Sequence, residues 1–407
     1  MEQSPKKDYV LFSRGGQLMP QEEMLEVRKK KNHLVIGIPR ESTYQENRIA
    51  LAPEAVSVLV QNGHKVLIET RAGENAFFPD REFAEAGGEL VYSHEEVFKA
   101  NLVLKVAPLT DKELELVKPG QVVFSTLAFP MQKESYFRTL GSKKVSAAAF
   151  EFIRDKTGTF PLVRSMSEIA GNTSVLIASE YLCNKKYGKG RMFGGFSGIT
   201  PTEVVIIGAG TVGEYAVRAA MGLGAMVKVF DHSIYRLRRL QNNLNARIFT
   251  SIIQPKVLLK ALRTADVVIG ALHSSFGRTP VVVTEDMVSQ MKYGSVIVDV
   301  SIDQGGCVET SQVTNHSEPV FRKHGVTHYC VPNIASRVPH TASYAFSNFF
   351  VPVLLSVGEE GGFENMLKKD PGVRQGMYLY NGILTNQHIG EFFGLPYQDI
   401  ELLMAAF

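Results

Sequence analysis

Residues 204–231, VVIIGAGTVGEYAVRAAMGLGAMVKVFD, decide the fold. An apolar run that is typical of a buried strand meets three glycines, Gly208, Gly210 and Gly213, in GxGxxG spacing. Small residues then recur at helical intervals, and a second apolar run ends at Asp231. In such a unit the first glycine permits a tight turn, the second lets a diphosphate approach the backbone, and the third lets the helix pack on its strand. The order of these parts predicts a dinucleotide-binding Rossmann fold.

The residues after the second strand indicate which dinucleotide is bound. Asp231 follows the glycines by about twenty residues, where a carboxylate can accept both hydroxyls of the adenosine ribose. The same carboxylate would repel a 2′-phosphate, which favours NAD over NADP as the cofactor. Three arginines follow and weaken this preference slightly, and Arg236, the first of them, is placed among the cofactor-binding residues.

Length and composition limit the protein class. The chain has 407 residues, of which 44% are hydrophobic and 21% charged, with a net charge of +3. This length suffices for two domains with separate cores, and the small charge argues against nucleic acid as a partner. The three cysteines and ten histidines have no metal-ligand spacing, so no metal is expected. No apolar run reaches the roughly 18 residues that span a bilayer, so we expect a cytoplasmic protein without a membrane partner.

The alternation of apolar strands with amphipathic helices predicts an α/β protein of two domains with parallel sheets. Residues 1–33 are polar and are interpreted as an N-terminal extension. A long helix that starts near Ser167 is expected to lead into the NAD-binding Rossmann domain, assigned to residues 166–339. The last segment has a helical pattern and is expected to pack back on the first domain. The flavodoxin-like or Rossmann-like substrate domain is therefore discontinuous, with residues 34–165 and 340–407.

Two basic residues are candidates for substrate chemistry, because open α/β sheets bind ligands beyond the carboxyl ends of their strands. Arg48, in the loop after the first strand, suits bidentate binding of a carboxylate. The alternative is a surface arginine paired with Glu41 or Glu46. Lys105 ends a later strand, and its alternative is a side chain that only extends to solvent.

Two further candidates follow strands of the second domain. Asp303 comes after an apolar run and before a Gln-Gly-Gly turn, where a carboxylate can act as a base or pair with a cationic intermediate. The alternative is a carboxylate that caps the loop. Asn333 ends the next strand in the equivalent position.

These segments together resemble the family of alanine dehydrogenases and the NAD-binding component of nicotinamide nucleotide transhydrogenase, over about residues 34–400. The matching stretches are IGIPRES, ENRIALAP, LVLKVAPL, RSMSEIAGN, VVIIGAGTVGEYA, VDVSIDQGGCVE and YCVPNIASRVPHTASYAFSN. The segment before MSEIAG and the SIDQGG motif are closer to alanine dehydrogenase. The resemblance implies reversible oxidative deamination of L-alanine to pyruvate and ammonia with hydride transfer to NAD, by a homo-oligomer (dimer or hexamer).

The resemblance also implies a role for each matching residue. Arg48 matches the arginine that holds the substrate carboxylate, and Asp303 matches the aspartate of the alanine dehydrogenase active site. Asp231 matches the acid that binds the ribose. Ser167 and Asn333 match residues near the nicotinamide.

Two positions depart from the family. A lysine of the alanine dehydrogenase pocket is replaced by Ala107, and a histidine by Ala128. Lys105 projects from the same strand face as position 107, so it is a candidate substitute. Two alternatives follow from the departures: an NAD-binding homologue with lost or altered catalysis, or a dehydrogenase for a bulkier amino or oxo acid.

Overall fold

A computed structural model describes residues 33–43, 46–274 and 277–405. Within these ranges the chain forms two sheets, one of eight strands and one of seven, each with helices packed on both faces. The α/β class with mostly parallel sheets is therefore confirmed. The predicted N-terminal extension lies outside the described residues except for its last residue, His33.

The first sheet begins with a parallel βαβ series. Its strands in chain order are β1 (Val35–Ile38), β2 (Lys65–Glu69), β3 (Glu89–Val91), β4 (Leu102–Leu104), β5 (Val122–Ser125) and β6 (Ser146–Ala149). The helices between them are α1 (Pro53–Gln61), α2 (Asp80–Glu85), α3 (His94–Val97), α4 (Asp111–Leu116) and α5 (Glu134–Ser142). In space the strands run β6-β5-β4-β1-β2-β3, all parallel. The loops after β1, β4, β5 and β6 therefore share one edge of the sheet.

A long helix, α6 (Pro161–Cys183), connects the two sheets. It begins six residues before Ser167, the predicted start, because Pro161 occupies the first helical position, where its fixed φ favours a helix. Leu162 packs in the core of the first sheet, whereas residues from Ala170 onward pack in the core of the second. The change from one core to the other thus falls inside a single rigid element.

The second sheet carries the Rossmann topology. Its strands are β7 (Glu203–Ile207), β8 (Met226–Asp231), β9 (Phe249–Ile252), β10 (Val267–Gly270), β11 (Val296–Asp299), β12 (Val320–Lys323) and β13 (Val326–Tyr329). The helices are α7 (Thr211–Gly222), α8 (Ile234–Leu244), α9 (Pro255–Thr264) and α10 (Glu285–Ser289). The order β9-β8-β7-β10-β11-β13 is that of a dinucleotide-binding sheet, with β12 added antiparallel at the edge.

The C-terminal segment returns to the first sheet. It contains α11 (Pro339–Glu359), α12 (Phe363–Lys369), α13 (Pro371–Gly376), β14 (Met377–Tyr380), β15 (Ile383–Leu384), α14 (Gln387–Phe393) and α15 (Ile400–Ala405). In the described ranges α11 is the one helix whose length and composition would suit a membrane span, and its buried face packs in the core beside α1.

The purely helical pattern expected for this segment was wrong at residues 377–384. There β14 pairs antiparallel with β6 and turns into β15 through Asn381-Gly382. Both turn residues have positive φ, 49° and 83°, which defines the tight hairpin turn that Asn-Gly favours. Four consecutive buried residues in β14 gave no alternation by which periodicity could identify a strand.

Candidate active site

The glycine turn between β7 and α7 is shaped for a diphosphate. Gly208 has a φ of 119°, and a Cβ there would lie 2.2 Å from the carbonyl oxygen of Ala271. A Cβ on Gly213 would lie 1.9 Å from the carbonyl oxygen of Gly208, so a side chain at either position would collide with backbone. A Cβ on Gly210 would meet no atom within 4 Å. Gly210 also caps α7 without a side-chain bond, which leaves open space beside the free N–H groups of the helix start.

Asp231, at the end of β8, is fully buried beside this turn. One carboxylate oxygen accepts the N–H of Ala209 at 2.7 Å, and the other accepts the N–H of Ser233 at 2.8 Å. The carboxylate therefore fixes the glycine turn against the loop that follows β8. Arg236 lies in the first turn of α8, directly after the same loop, and interacts electrostatically with His273. Burial lowers the pKa of that imidazole, and Arg236 lowers it further.

Arg48 and Glu46 form a buried ion pair at the substrate edge of the first sheet. The Arg48 Nε and Nη2 atoms donate to the two Glu46 carboxylate oxygens at 2.7 and 2.6 Å. Burial acts to raise the pKa of Glu46, but the Arg48 charge and hydrogen bonds hold it below its usual range. Among the described residues, the Nη1 atom donates to the Met166 sulfur at 3.4 Å, and the guanidinium lies over the Phe346 ring. Glu46 thus occupies the edge of the guanidinium that is formed by Nε and Nη2.

Asn333 joins this ion pair to the second domain. Its side-chain amide donates to Glu46 at 2.9 Å, and its backbone N–H donates to Asp303 at 2.7 Å. The Asp303 residue is exposed, but neighbouring protein atoms displace part of the water around its carboxyl group, which raises its pKa. The Asn333 N–H and the Arg48 charge act in the opposite direction and lower it. Arg48, Glu46, Asn333 and Asp303 therefore form a continuous chain of polar groups between the two sheets. The sequence indicated Glu46 only as an alternative surface partner of Arg48, two residues away, and not as a member of the site; the structure shows the pair to be buried.

Ser167 lies on α6, half-buried, on the side that faces the glycine turn. Gly171, one turn later on the same helix face, packs so closely on α7 that a Cβ would lie 2.4 Å from the Val212 carbonyl oxygen. Residues four apart on a helix share a face, so Ser167 lies on the face of α6 that packs on α7. Its contact with the coenzyme remains a prediction.

Lys105 does not join Arg48 and Asp303. Its ammonium is fully buried and donates to both Glu113 oxygens at 2.8 and 2.9 Å and to the Pro108 carbonyl at 3.2 Å. Glu41 lies 3.4 Å away. An ammonium has three protons, so these contacts use its donors completely. This placement does not support the predicted action of Lys105 on the substrate. Strand periodicity predicts the face from which a side chain projects, but it does not predict which acidic residues surround that side chain.

Two buried carboxylates hold the backbone where the alanines replace family residues. Glu41 accepts the N–H groups of Val106 and Ala107 at 2.5 and 3.2 Å. Glu151 accepts those of Leu127 and Ala128 at 2.8 and 3.3 Å. Burial raises the pKa of both carboxyl groups to about 7.

Several buried polar atoms around these loops lack a hydrogen-bond partner. Among the described residues they include Glu41 Oε2, Thr43 Oγ1, Ser125 Oγ and Glu151 Oε2. All four lie beyond or at the carboxyl ends of β1, β5 and β6. Unpaired buried polar atoms cost free energy. The loops at this edge of the first sheet therefore carry polar groups whose cost is not offset by folding alone.

Comparisons with known proteins agree with this geometry. The family description "Alanine dehydrogenase/PNT, N-terminal domain" matches residues 37–170, and the corresponding C-terminal domain matches residues 174–387. Alanine dehydrogenase 2 of Staphylococcus aureus (strain USA300) is 37% identical over 367 residues, covering 90% of this chain and 98% of the relative. Alanine dehydrogenase of Staphylococcus saprophyticus is 37% identical over 369 residues, covering 90% and 99%.

Solved structures show the same relationship. An L-alanine dehydrogenase superposes with a TM-score of 0.82 at 34% identity, covering 89% of this chain and 99% of that one. A transhydrogenase from Sinorhizobium meliloti shares the fold, with a TM-score of 0.73 at 23% identity over 87% of this chain and 99% of that one. The chain belongs to the alanine dehydrogenase/PNT family.

Proposed function

We propose that the protein is an NAD-dependent oxidoreductase of the alanine dehydrogenase type, which converts an L-2-amino acid reversibly into its 2-oxo acid and ammonia. The observation that carries the proposal is the polar chain from Arg48 through Glu46 and Asn333 to Asp303. It connects a carboxylate-binding group in one domain to an acid in the other, on the side of the cleft that faces the glycine turn.

The second domain fits NAD. The Gly208–Gly213 turn and the start of α7 would hold the diphosphate, with Asp231 and Arg236 on the ribose side. Ser167 and Asn333 would contact the nicotinamide half. When bound, NAD supplies the hydride acceptor, and the protein supplies orientation and charge.

The first domain fits the substrate. Arg48 presents its Nη1 edge to the substrate carboxylate, while Glu46 fixes the plane of the guanidinium. Asp303 interacts electrostatically with Arg48 and accepts a proton from the substrate amino group or from the water that adds to the imine carbon.

A second candidate function is NAD binding without amino-acid turnover. The supporting observation is that positions 107 and 128 carry methyl groups, while the Lys105 ammonium is committed to Glu113. Positioned acid–base groups contribute on the order of 10²–10⁴-fold, so their loss would be severe.

One experiment separates the two functions. NADH formation is followed at alkaline pH with NAD and a panel of L-amino acids, and the reverse reaction with 2-oxo acids, ammonium and NADH. NAD affinity is measured on the same preparation by calorimetry. Turnover above the no-enzyme rate supports the dehydrogenase, whereas NAD binding without any turnover supports the second candidate.

We also propose a cytoplasmic homo-oligomer, a dimer or hexamer, with no nucleic-acid or membrane partner. Between α6 and β7, the side chains of Met192, Phe196 and Ile199 are each more than half exposed, which is typical of surfaces that associate. Light scattering coupled to gel filtration tests this: a monomer at micromolar concentration would contradict it.

A further inference from the structure

A cavity opens beside Ala128 at the substrate edge of the first sheet. Its volume is about 290 Å³, near the lower end of the roughly 300–1,000 Å³ that small-ligand pockets occupy. The loop after β4 supplies Pro108 and Leu109, and the loop after β5 supplies Ala128 and Met131. Tyr136 of α5 is buried behind them. We call this space the Ala128 cavity.

Two hydrogen-bonded residues, Thr43 and Glu46, connect the Ala128 cavity to Arg48. Thr43 lines the cavity, and its backbone carbonyl accepts the N–H of Glu46 at 2.9 Å. Glu46 in turn holds Arg48 at 2.6 Å. A residue of the cavity wall is therefore hydrogen-bonded to the glutamate that orients Arg48.

The charges of the lining define the occupant. Asp111 and Lys133 are exposed and have opposite signs, so neither an anionic nor a cationic side chain is matched. The remaining lining residues are neutral, partly apolar and partly hydroxyl or amide. A side chain with a hydrocarbon stem and an uncharged end fits this surface.

We propose that the Ala128 cavity receives the substrate side chain, and that the preferred substrate is an L-2-amino acid with an uncharged side chain of three or more non-hydrogen atoms. The inference rests on the proposed function, since it assumes that Arg48 holds the substrate carboxylate. It assigns the replacement at position 128 a role in specificity.

The test compares kcat/KM for L-norvaline, L-norleucine, L-methionine and L-glutamine with that for L-alanine, L-glutamate and L-lysine. Because a methylene in a fitted pocket changes discrimination about 10-fold or more, the best uncharged long side chain is expected to exceed alanine at least tenfold. Ala128→His should reverse this ratio by filling the cavity. Histidine is among the residues that tolerate the positive φ of 47° at this position.

Two further variants test whether the effect of Ala128→His comes from filling the cavity rather than from misfolding or from histidine itself. Ser135→Phe narrows the cavity from α5 without changing the loop that contains Ala128 and should also lower the ratio of long to short substrates. Lys144→His places histidine at an exposed position with a similar φ of 52°, away from the cavity, and should leave the ratio unchanged.

A binding readout keeps the inference separate from the proposed function. With saturating NAD, thermal stabilisation by norleucine is compared with that by alanine in the wild type and in Ala128→His. Selective stabilisation by norleucine that is lost in Ala128→His supports the cavity even if no NADH forms, which would overturn only the proposed function. Equal or better response to alanine, or a ratio unaffected by both cavity-filling variants, would overturn the inference.

Discussion

Arg48 and Asp303 are the residues at which the proposed chemistry is decided. Arg48 is oriented by Glu46 through two short hydrogen bonds, and Asp303 is oriented by the Asn333 backbone. Catalysis requires the side chains that bind the substrate to be held in one orientation, and these hydrogen bonds hold both residues in this way. Each residue therefore has a distinct expected defect.

Asp303→Asn tests the acid. The amide still accepts the Asn333 N–H but cannot exchange a proton, so kcat is expected to fall about 10²–10⁴-fold. The affinity for NAD should remain within about twofold, because the proposed role of Asp303 is toward the amino acid rather than the coenzyme. Steady-state kinetics and calorimetry measure the two quantities. Asp286→Asn, an exposed change on α10, is the control; equal activity of both variants would remove Asp303 from the mechanism.

Glu151 gives a prediction for pH dependence. Its folded pKa of about 7 lies above the ordinary value of 4.5, so the folded state binds more protons than the unfolded state between these values. Stability therefore decreases as pH rises from about 4.5 to 7. Glu151→Gln keeps an acceptor for the Leu127 and Ala128 N–H groups without the charge.

The variant should match the wild type near pH 4.5 and exceed it by about 3 kcal/mol at pH 8. Urea unfolding at both pH values measures the difference. A constant difference between the two proteins across this range would show that the Glu151 carboxyl does not titrate with a raised pKa.

At the scale of elements, the turn into α7 contains two glycines with different expected roles: Gly213 is required for packing, and Gly210 for NAD binding. The space beside Gly210 is open and its φ of −78° suits any residue, whereas a side chain on Gly213 collides with the Gly208 carbonyl. Gly210→Ala should therefore keep the free energy of unfolding within about 1 kcal/mol while lowering NAD affinity at least about tenfold.

Gly213→Ala is the matched comparison. It should lose both stability and NAD binding, because the carbonyl at 1.9 Å must move. Chemical unfolding and calorimetry on the two variants provide the readout. If Gly210→Ala bound NAD like the wild type, the diphosphate would have to lie elsewhere.

The elements around β4 share a buried charge network. Lys105 pairs with Glu113 and Glu41, and His94 bridges Glu113 and Glu69. These hydrogen bonds raise the pKa of His94 to about 9 and, against the effect of burial, hold that of Glu113 at about 2. Removal of the Lys105 charge leaves the buried Glu41 carboxylate without its ion-pair partner, and Glu113 with only His94 as a charged partner.

Lys105→Met is expected to lower the free energy of unfolding by about 3–5 kcal/mol, the usual cost of breaking a buried pair. Lys112→Met, on the exposed side of α4, should change it by less than about 0.5 kcal/mol. Urea unfolding distinguishes them. A stable Lys105→Met protein that bound NAD but had lost turnover would return Lys105 to the catalytic role first expected.

At the scale of the molecule, the site exists only where the two sheets meet. Asn333 has a left-handed φ of 56° and links Glu46 to the second domain, and Asn47 bonds Ser336 across the same junction at 2.9 Å. The cleft therefore depends on how α6 and α11 hold the two cores relative to each other.

Asn333→Gly tests this junction, because glycine keeps the backbone conformation and removes only the amide. KM for the amino acid and for NAD should rise together, by about tenfold, with little change in melting temperature. Asn381→Gly, at another left-handed asparagine on the far hairpin, is the control. An unchanged KM for both substrates would mean that the link between Glu46 and Asn333 does not shape the cleft.

Sequence alone determined the family, the α/β class and the Rossmann unit, because glycine spacing, strand periodicity and ordered motifs are local properties of the chain. The roles of Gly208 and Gly213 in the turn could likewise be predicted, and the structure supplies the backbone collisions that require them. Domain limits and residue roles remain predictions. Only the tertiary structure decided that Lys105 pairs with Glu113, that Glu46 forms a buried ion pair with Arg48, and that a cavity lies beside Ala128. Each of these depends on which distant loops the strand order brings to one edge of the sheet, and no local pattern contains that information.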